Sequence, residues 1–168
     1  SKNCIPSGVA TVALAPLPGV LADRTGWKLV HADSVNSPDG DAAHVLDGRS
    51  ETYWHTEWRD AKPRHPHEIQ IDMAKSLRLA GFRILPRQGN SNGRIRNYEF
   101  FLSADGKTWG EPVARGEFPN TSQSQTVVFI APAEGRFLRL VARDEWTGKP
   151  YTSVAELEAI VAEAPEMD

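Results

Sequence analysis

One cysteine, Cys4, is all that the 168 residues contain. A single thiol excludes an internal disulfide framework and any cysteine-ligated zinc site. Neither a helix start nor a neighbouring base stands beside it to activate it as a nucleophile. Long apolar runs are missing too, and none approaches the roughly 18 to 20 residues a membrane-spanning helix needs. The most apolar stretch, GVATVALAPLPGVL at 8–21, is interrupted by Pro16 and Pro18 and follows no basic segment. It does not read as a signal remnant. We take residues 1–22 as a linker or edge segment from an upstream domain, 23–163 as one domain and 164–168 as a tail. Charge of one sign is lacking as well: 19 Lys and Arg against 22 Asp and Glu leave a net charge of -3. That excludes the basic footprint of nucleic-acid or anionic-membrane binding, so neither partner is expected.

Catalytic signatures are equally scarce. The chain has no G-x-S-x-G elbow, no G-x-x-x-x-G-K-[ST] loop and no H-E-x-x-H pair. No carboxylate stands in an apolar run of the kind that raises a pKa for acid catalysis. The densest cluster of chemistry is ETYWHTEWRDAKPRHPHEIQIDM at 51–73, which carries Trp54, His55, Trp58, His65 and His67. His65 and His67 are two apart at the start of an alternating strand, so both rings fall on one face. A zinc ion would want a third ligand, and none lies nearby; the pair reads as loop and strand-start residues without special function.

What is present is strand after strand. HEIQIDM (67–73) alternates strictly, and WKLVHADS (27–34), LAGFRILP (79–86), QTVVFI (125–130) and GRFLRLVAR (135–143) add further extended segments. NYEFFLSADGKTW (97–109) runs into an Asp105-Gly106 turn. SVAELEAIVA (153–162) has helical composition but follows a strand-rich chain, and we expect it to close a sheet. Short strands at regular spacing between turn signals predict an all-β sandwich or barrel. Hydrophobic content of 40% suits one domain of this length with a substantial core.

Five segments, in order, carry a family resemblance: LDGRSETYWHT (46–56), PHEIQIDM (66–73), LPRQGNSNGRIRNYEFFLSADGKTWGEPVARG (85–116), RFLRLVA (136–142) and GKPYTSVAELE (148–158). Together they resemble the discoidin-like domains of coagulation factor V/VIII type C, and within them carbohydrate-binding module family 32, most of all the N-terminal module of the galactose oxidase type. The resemblance implies an all-β jelly-roll sandwich of two antiparallel sheets. The copper-bearing part of such enzymes is a separate propeller that this chain does not contain, so no enzymatic activity carries over. The implied role is a non-catalytic module attached to a catalytic domain, that of a glycoside hydrolase.

Two sites follow from the resemblance. The first is a structural calcium cage: the Asp47 carboxylate, the Thr52 hydroxyl and carbonyl, the carbonyls of His44, Arg49 and Ala155, and the Glu156 carboxylate. All-oxygen ligation suits Ca²⁺, and sodium could occupy the same cage. The second is a sugar site in which His55 and Arg87 grip hydroxyls, with Asn92 and Asp39 assisting and Trp58 or Trp146 as an aromatic wall. Galactose has an axial O4, which leaves a patch of C–H bonds on one face to lie against an indole. Trp54, alternating with His55, is expected in the core. The expected partner is therefore a glycan with terminal galactose or N-acetylgalactosamine, met in an extracellular, cell-surface or periplasmic setting. The alternative is a sandwich that packs on a neighbouring catalytic domain and binds no sugar. Lipid binding would want exposed apolar spikes, whereas the loops here are charged and prolyl.

Overall fold

The computed structural model describes residues 17–164. Cys4, most of the apolar stretch at 8–21 and the end of the tail lie outside the described residues. The elements run β1 (Gly19–Leu21), β2 (Lys28–Ala32), a short 3-10 helix η1 (Ala42–Leu46), β3 (Trp54–His55), β4 (His67–Leu85), β5 (Asn97–Ser103), β6 (Ala114–Glu117), β7 (Gln125–Ala142), β8 (Ser153–Val154) and β9 (Glu156–Ala162). Hydrogen bonding orders the main sheet β1-β9-β4-β7-β5-β6, with β2 on the free flank of β4, and a separate two-stranded pair joins β3 to β8. Every strand pairing is antiparallel.

The sheet closes on itself because β4 and β7 serve both layers. The first half of β4 pairs with β2 and with the second half of β7, through Ile69↔Leu140 and Ile71↔Leu138. Its second half pairs with β9 and with the first half of β7, through Phe82↔Ala159 and Phe82↔Val127. Strands that switch layers at a bulge are how a curled sandwich turns its corner. Here the register shifts between Asp72 and Leu77. Ala74 takes a positive φ of 72°, and its N–H donates to the Asp72 carboxylate at 2.8 Å. The sequence suggests two strands on each side of this corner. Pairing of Leu77, Arg78 and Leu79 with Gly135, Glu134 and Ala133 instead carries each ladder through it.

Between the layers lies a core of alternating inward residues, among them Ile69, Ile71, Phe82, Phe100, Leu138, Leu140 and Leu157, all fully buried. Phe82 stacks on Phe100 with ring centroids 4.1 Å apart and planes 6° from parallel, and Tyr98 stacks on Phe118 at the same separation. The closing segment is a strand, as tertiary context dictates: β9 is flanked by β1 and β4 and buries Leu157, Ala159 and Ile160. β1 belongs to the same sheet, so residues 19–21 form its edge. The Asp105-Gly106 turn is held by the Asp105 carboxylate, which accepts from the N–H groups of Lys107 and Thr108 at 2.8 and 2.9 Å. Those bonds hold its pKa down at about 2.

Phe82 touches aromatic neighbours on several sides, so its truncation leaves a cavity that the rigid sheets cannot close. Phe82→Ala is expected to destabilise the fold by about 3 to 5 kcal/mol, read as a lower urea midpoint with an unchanged slope.

Candidate functional site

A cavity of about 290 Å³ opens among the loops that follow β2 and β4 and the loop that precedes β8. It is lined by Asn36, Asp39 and Gly40 from the first loop, and by Tyr53, His55 and Trp58 around β3. Arg87, Asn90 and Asn92 come from the loop after β4, and Lys149 and Tyr151 from the loop before β8. The pairing Trp54↔Val154 and His55↔Ser153 sets the alternation. Trp54 goes inward, fully buried, its indole N–H donating to the Ser34 carbonyl at 2.8 Å. His55 faces the cavity. Its backbone N–H donates to Gly40 and its carbonyl accepts from Asn36. A Cβ at Gly40 would lie 2.7 Å from the His55 carbonyl oxygen, so only glycine lets this loop lie flat on β3.

The ionisation of His55 is decided by its surroundings. Burial pushes its pKa down, the Thr56 carbonyl pushes it up, and the Arg87 charge pushes it down again, for a net lowering. Nδ1 lies 2.6 Å from that carbonyl, which can only accept, so Nδ1 carries the proton. The neutral ring then presents Nε2 as an acceptor. Arg87 lies with its guanidinium 4.1 Å above the Tyr53 ring, and its buried Nε has no partner among the described residues. His55 and Arg87 both line the cavity, an imidazole acceptor beside a guanidinium with several N–H donors. His55 also contacts Tyr151, ring centroids 5.4 Å apart. Trp58 stands at the rim, 42% exposed, with Arg59 5.3 Å from its ring.

Asn92 accepts at Oδ1 from Lys149 Nζ at 2.8 Å, and its carbonyl accepts from the Ser153 hydroxyl at 2.7 Å. Gly93, at φ 83°, comes so close to β8 that a Cβ would meet the Ser153 nitrogen at 2.6 Å. The structure thus brings His55, Trp58, Arg87, Asn92 and Asp39 around one cavity. Trp146 is not among its lining residues. Its indole N–H donates to the Phe118 carbonyl at 2.9 Å and Arg96 covers its ring at 4.5 Å, so it packs a neighbouring turn instead.

His67 has more to do than begin a strand. Fully buried, it lies between two acceptors: Nδ1 is 2.8 Å from Asp33 Oδ2 and Nε2 is 2.7 Å from the Pro150 carbonyl. Burial disfavours its charge, but the Asp33 hydrogen bond, the Pro150 carbonyl and the Asp33 charge together raise its pKa. The imidazolium ties the end of β2 to the segment that carries Tyr151. His65 reaches the Thr152 hydroxyl at 2.9 Å, and burial followed by the His67 charge keeps it neutral. Both nitrogens of His67 are thereby spent within the protein.

Of the residues expected at the cation site, Asp47 lies near enough to Glu156 for their charges to interact. Asp47 caps its own turn, with Oδ1 accepting from the Arg49 N–H at 2.9 Å and Oδ2 accepting from the Thr52 hydroxyl. The His44 carbonyl accepts from the Asp47 N–H at 3.2 Å, while the His44 ring turns to the Tyr53 carbonyl. The Ala155 N–H donates to Leu85, which places the adjoining Glu156 at the start of β9. Glu156 Oε1 accepts from Arg24 at 3.0 Å, but its buried Oε2 has no partner among the described residues. Burial raises the Glu156 pKa, Arg24 opposes that, and the nearby Asp47 charge raises it further. Two coupled carboxylates, one with an orphaned oxygen, together with a hydroxyl, fit a hard cation with oxygen ligands.

Residues 30–157 match the F5/8 type C domain. The chain belongs to the F5/8 type C family. Among characterised proteins, the domain is 39% identical over 141 residues to a sialidase of Micromonospora viridifaciens, covering 82% of this chain and 22% of the sialidase. It is likewise 39% identical over 153 residues to a galactose oxidase of Gibberella zeae, covering 89% of this chain and 22% of that protein. It thus spans about a fifth of the length of these relatives. A Clostridium perfringens carbohydrate-binding module in complex with GalNAc-β-1,3-galactose superimposes with a TM-score of 0.76 at 28% identity, covering 84% of this chain and 99% of that one. A family 32 module from C. perfringens NanJ, in complex with galactose, does so at 0.73 and 25%, covering 83% and 97%.

Sequence reasoning missed Tyr53 and Tyr151 as walls of the cavity. Tyr53 is two residues before His55 in extended chain and shares its face, a signal that was available. Tyr151 had none, since only the β3–β8 pairing brings it to His55.

Because the folded pKa of His67 is raised, its contribution to stability is full below the unfolded value of about 6.5 and is lost as pH rises through the folded value. His55 and His65, with lowered pKa values, act in the opposite sense as pH falls. Urea unfolding of the domain and of His67→Gln should therefore show the largest stability gap near about pH 6, narrowing toward about pH 9.

Proposed function

We propose that this F5/8 type C domain is a non-catalytic carbohydrate-binding module for terminal galactose or N-acetylgalactosamine, serving a larger glycan-processing protein outside the cytoplasm. The observation that carries the reading is the pairing of a neutral His55, with Nε2 free to accept, and the Arg87 guanidinium in a single cavity. A hydroxyl between them donates to the imidazole and accepts from the guanidinium, and so has its direction defined at both ends. Trp58 at the rim offers a flat face to the C–H patch of the sugar. The complexes of the two structural relatives with galactose-containing ligands support the same assignment.

Size sets the affinity. A hexose has about twelve heavy atoms, and at roughly 0.3 kcal/mol per atom it gains about 3.6 kcal/mol. The expected dissociation constant is millimolar, raised to useful avidity on a surface by several modules acting together. Calorimetry should show galactose binding better than glucose, because inversion at C4 leaves His55 and Arg87 poorly paired. His55→Ala and Arg87→Ala should each weaken galactose binding about tenfold or more, and Trp58→Ala by less. Equal affinity for the two epimers, or undiminished binding by both variants, would overturn the assignment.

A calcium ion held by Asp47, Thr52, Glu156 and the carbonyls of His44, Arg49, Thr52 and Ala155 is the second part of the proposal. Bound there, it would supply positive charge to Asp47 and to the orphaned Glu156 oxygen, and fasten the loop after η1 to β9. An ion bound only by the native state at a hundredfold excess over Kd stabilises it by about 2.7 kcal/mol. Chelation is expected to lower the Tm by about 5 to 10 °C, and Asp47→Ala to abolish that difference. An unchanged melting curve in chelator, with no metal found by elemental analysis, would remove calcium.

A further inference from the structure

Lys149 lines two cavities. Beyond the sugar pocket it borders a broader groove of about 540 Å³ whose charged walls are Lys62, Arg64, Arg143, Asp144, Glu145 and Lys149. We propose that this groove is a subsite for an acidic group, a sugar carboxylate or a sulfate ester, attached to or beside the sugar held by His55 and Arg87. The inference rests on the carbohydrate reading above and extends it to a class of ligand: acidic galactosides.

The groove's own acids are occupied. Asp144 accepts from the Asn97 backbone N–H at 2.8 Å and from its side-chain amide at 2.9 Å. Glu145, buried, accepts from the N–H groups of Gly93 and Lys149 at 2.9 and 2.7 Å and from the Thr147 hydroxyl. Each carboxylate is turned toward the loops it organises. The bases are in the opposite condition. Arg143 is paired with Glu99, but among the described residues no carboxylate pairs with Lys62, Arg64 or Lys149. Lys149 reaches only the neutral oxygen of Asn92. Arg143 and seven other arginines among the described residues form ion pairs. Lys62, Arg64 and Lys149 are exposed, and no carboxylate of the described residues answers their charge.

This local excess of positive charge stands on a chain whose net charge is -3. An anion entering the groove meets an arginine fork and two ammonium groups, donors that form the stronger, charge-assisted hydrogen bonds. Lys149 joins the two spaces, so the acid and the sugar can belong to one ligand. The His65 ring beside them is neutral and adds no charge of its own.

Calorimetry with galactose, lactose, 3′-sulfated lactose and the 3′- and 6′-sialylated lactoses tests this directly, at low salt and at about 0.15 M. At least one acidic ligand should bind about tenfold tighter than lactose, and the advantage should shrink with salt. The sulfated and sialylated arms separate a sulfate ester from a sugar carboxylate. The double variant Lys62→Ala with Arg64→Ala should return the acidic ligand to the affinity of lactose. It should leave galactose binding unchanged, since neither side chain lines the sugar cavity. Equal binding of neutral and acidic ligands, with galactose bound, would overturn this inference and leave the sugar reading standing. Silence toward every galactoside would overturn both.

Discussion

The continuous pairing of β4 with β7 around the corner at Asp72 and Leu77 is the constraint on which the remaining architecture depends. Each strand supplies ladder bonds to both layers, so neither layer forms without the other. The bend also determines where the ends of these strands emerge. β2 is laid against the first half of β4 and β9 against the second, and the loops after β2 and β4 meet the loop before β8 around one cavity. A functional site made from loops far apart in sequence needs a rigid frame to hold them in register. Here the stacked Phe82 and Phe100 stiffen that frame from within.

Buried polar groups finish what the frame begins. His55, His67, Glu145 and Glu156 are all buried, where an unpaired polar group is costly. Three of them are used to fasten loops. His67 joins Asp33 to Pro150, Glu145 joins Gly93 to Lys149, and His55 holds residues 36 and 40 through its backbone. Glu156 is the exception, with one oxygen bound to Arg24 and the other unpartnered. The same accounting separates the two cavities. In the groove beside Lys149 the acids are bonded within the protein while Lys62, Arg64 and Lys149 pair with no carboxylate among the described residues, whereas the cavity at His55 sets a neutral acceptor beside a guanidinium.

Particular residues show how much of this was legible beforehand. Ile69 and Ile71 alternate with charged and polar neighbours, and both prove to be core. Trp54 and His55 are adjacent in an extended segment, and the fold separates them to opposite faces. Trp146 illustrates the limit. An exposed-looking tryptophan in a turn of Thr, Gly and Lys resembles a sugar platform, but Arg96 and the Phe118 carbonyl claim it. His67 shows the reverse error, since its two acceptors come from residues 34 positions before it and 83 after it.

The sequence by itself determined the strands, their inward faces, the family and most of the residues that line the cavity at His55. These are local properties, written in period-two alternation, turn chemistry and short contiguous motifs. Only the tertiary structure decided that β4 and β7 bend rather than break, that Tyr53 and Tyr151 flank His55, and that Lys62 and Arg64 pair with no acid among the described residues. Each of those depends on which distant segments pack together. Contact and partner exclusion are properties of the folded arrangement, and no window of the chain contains them.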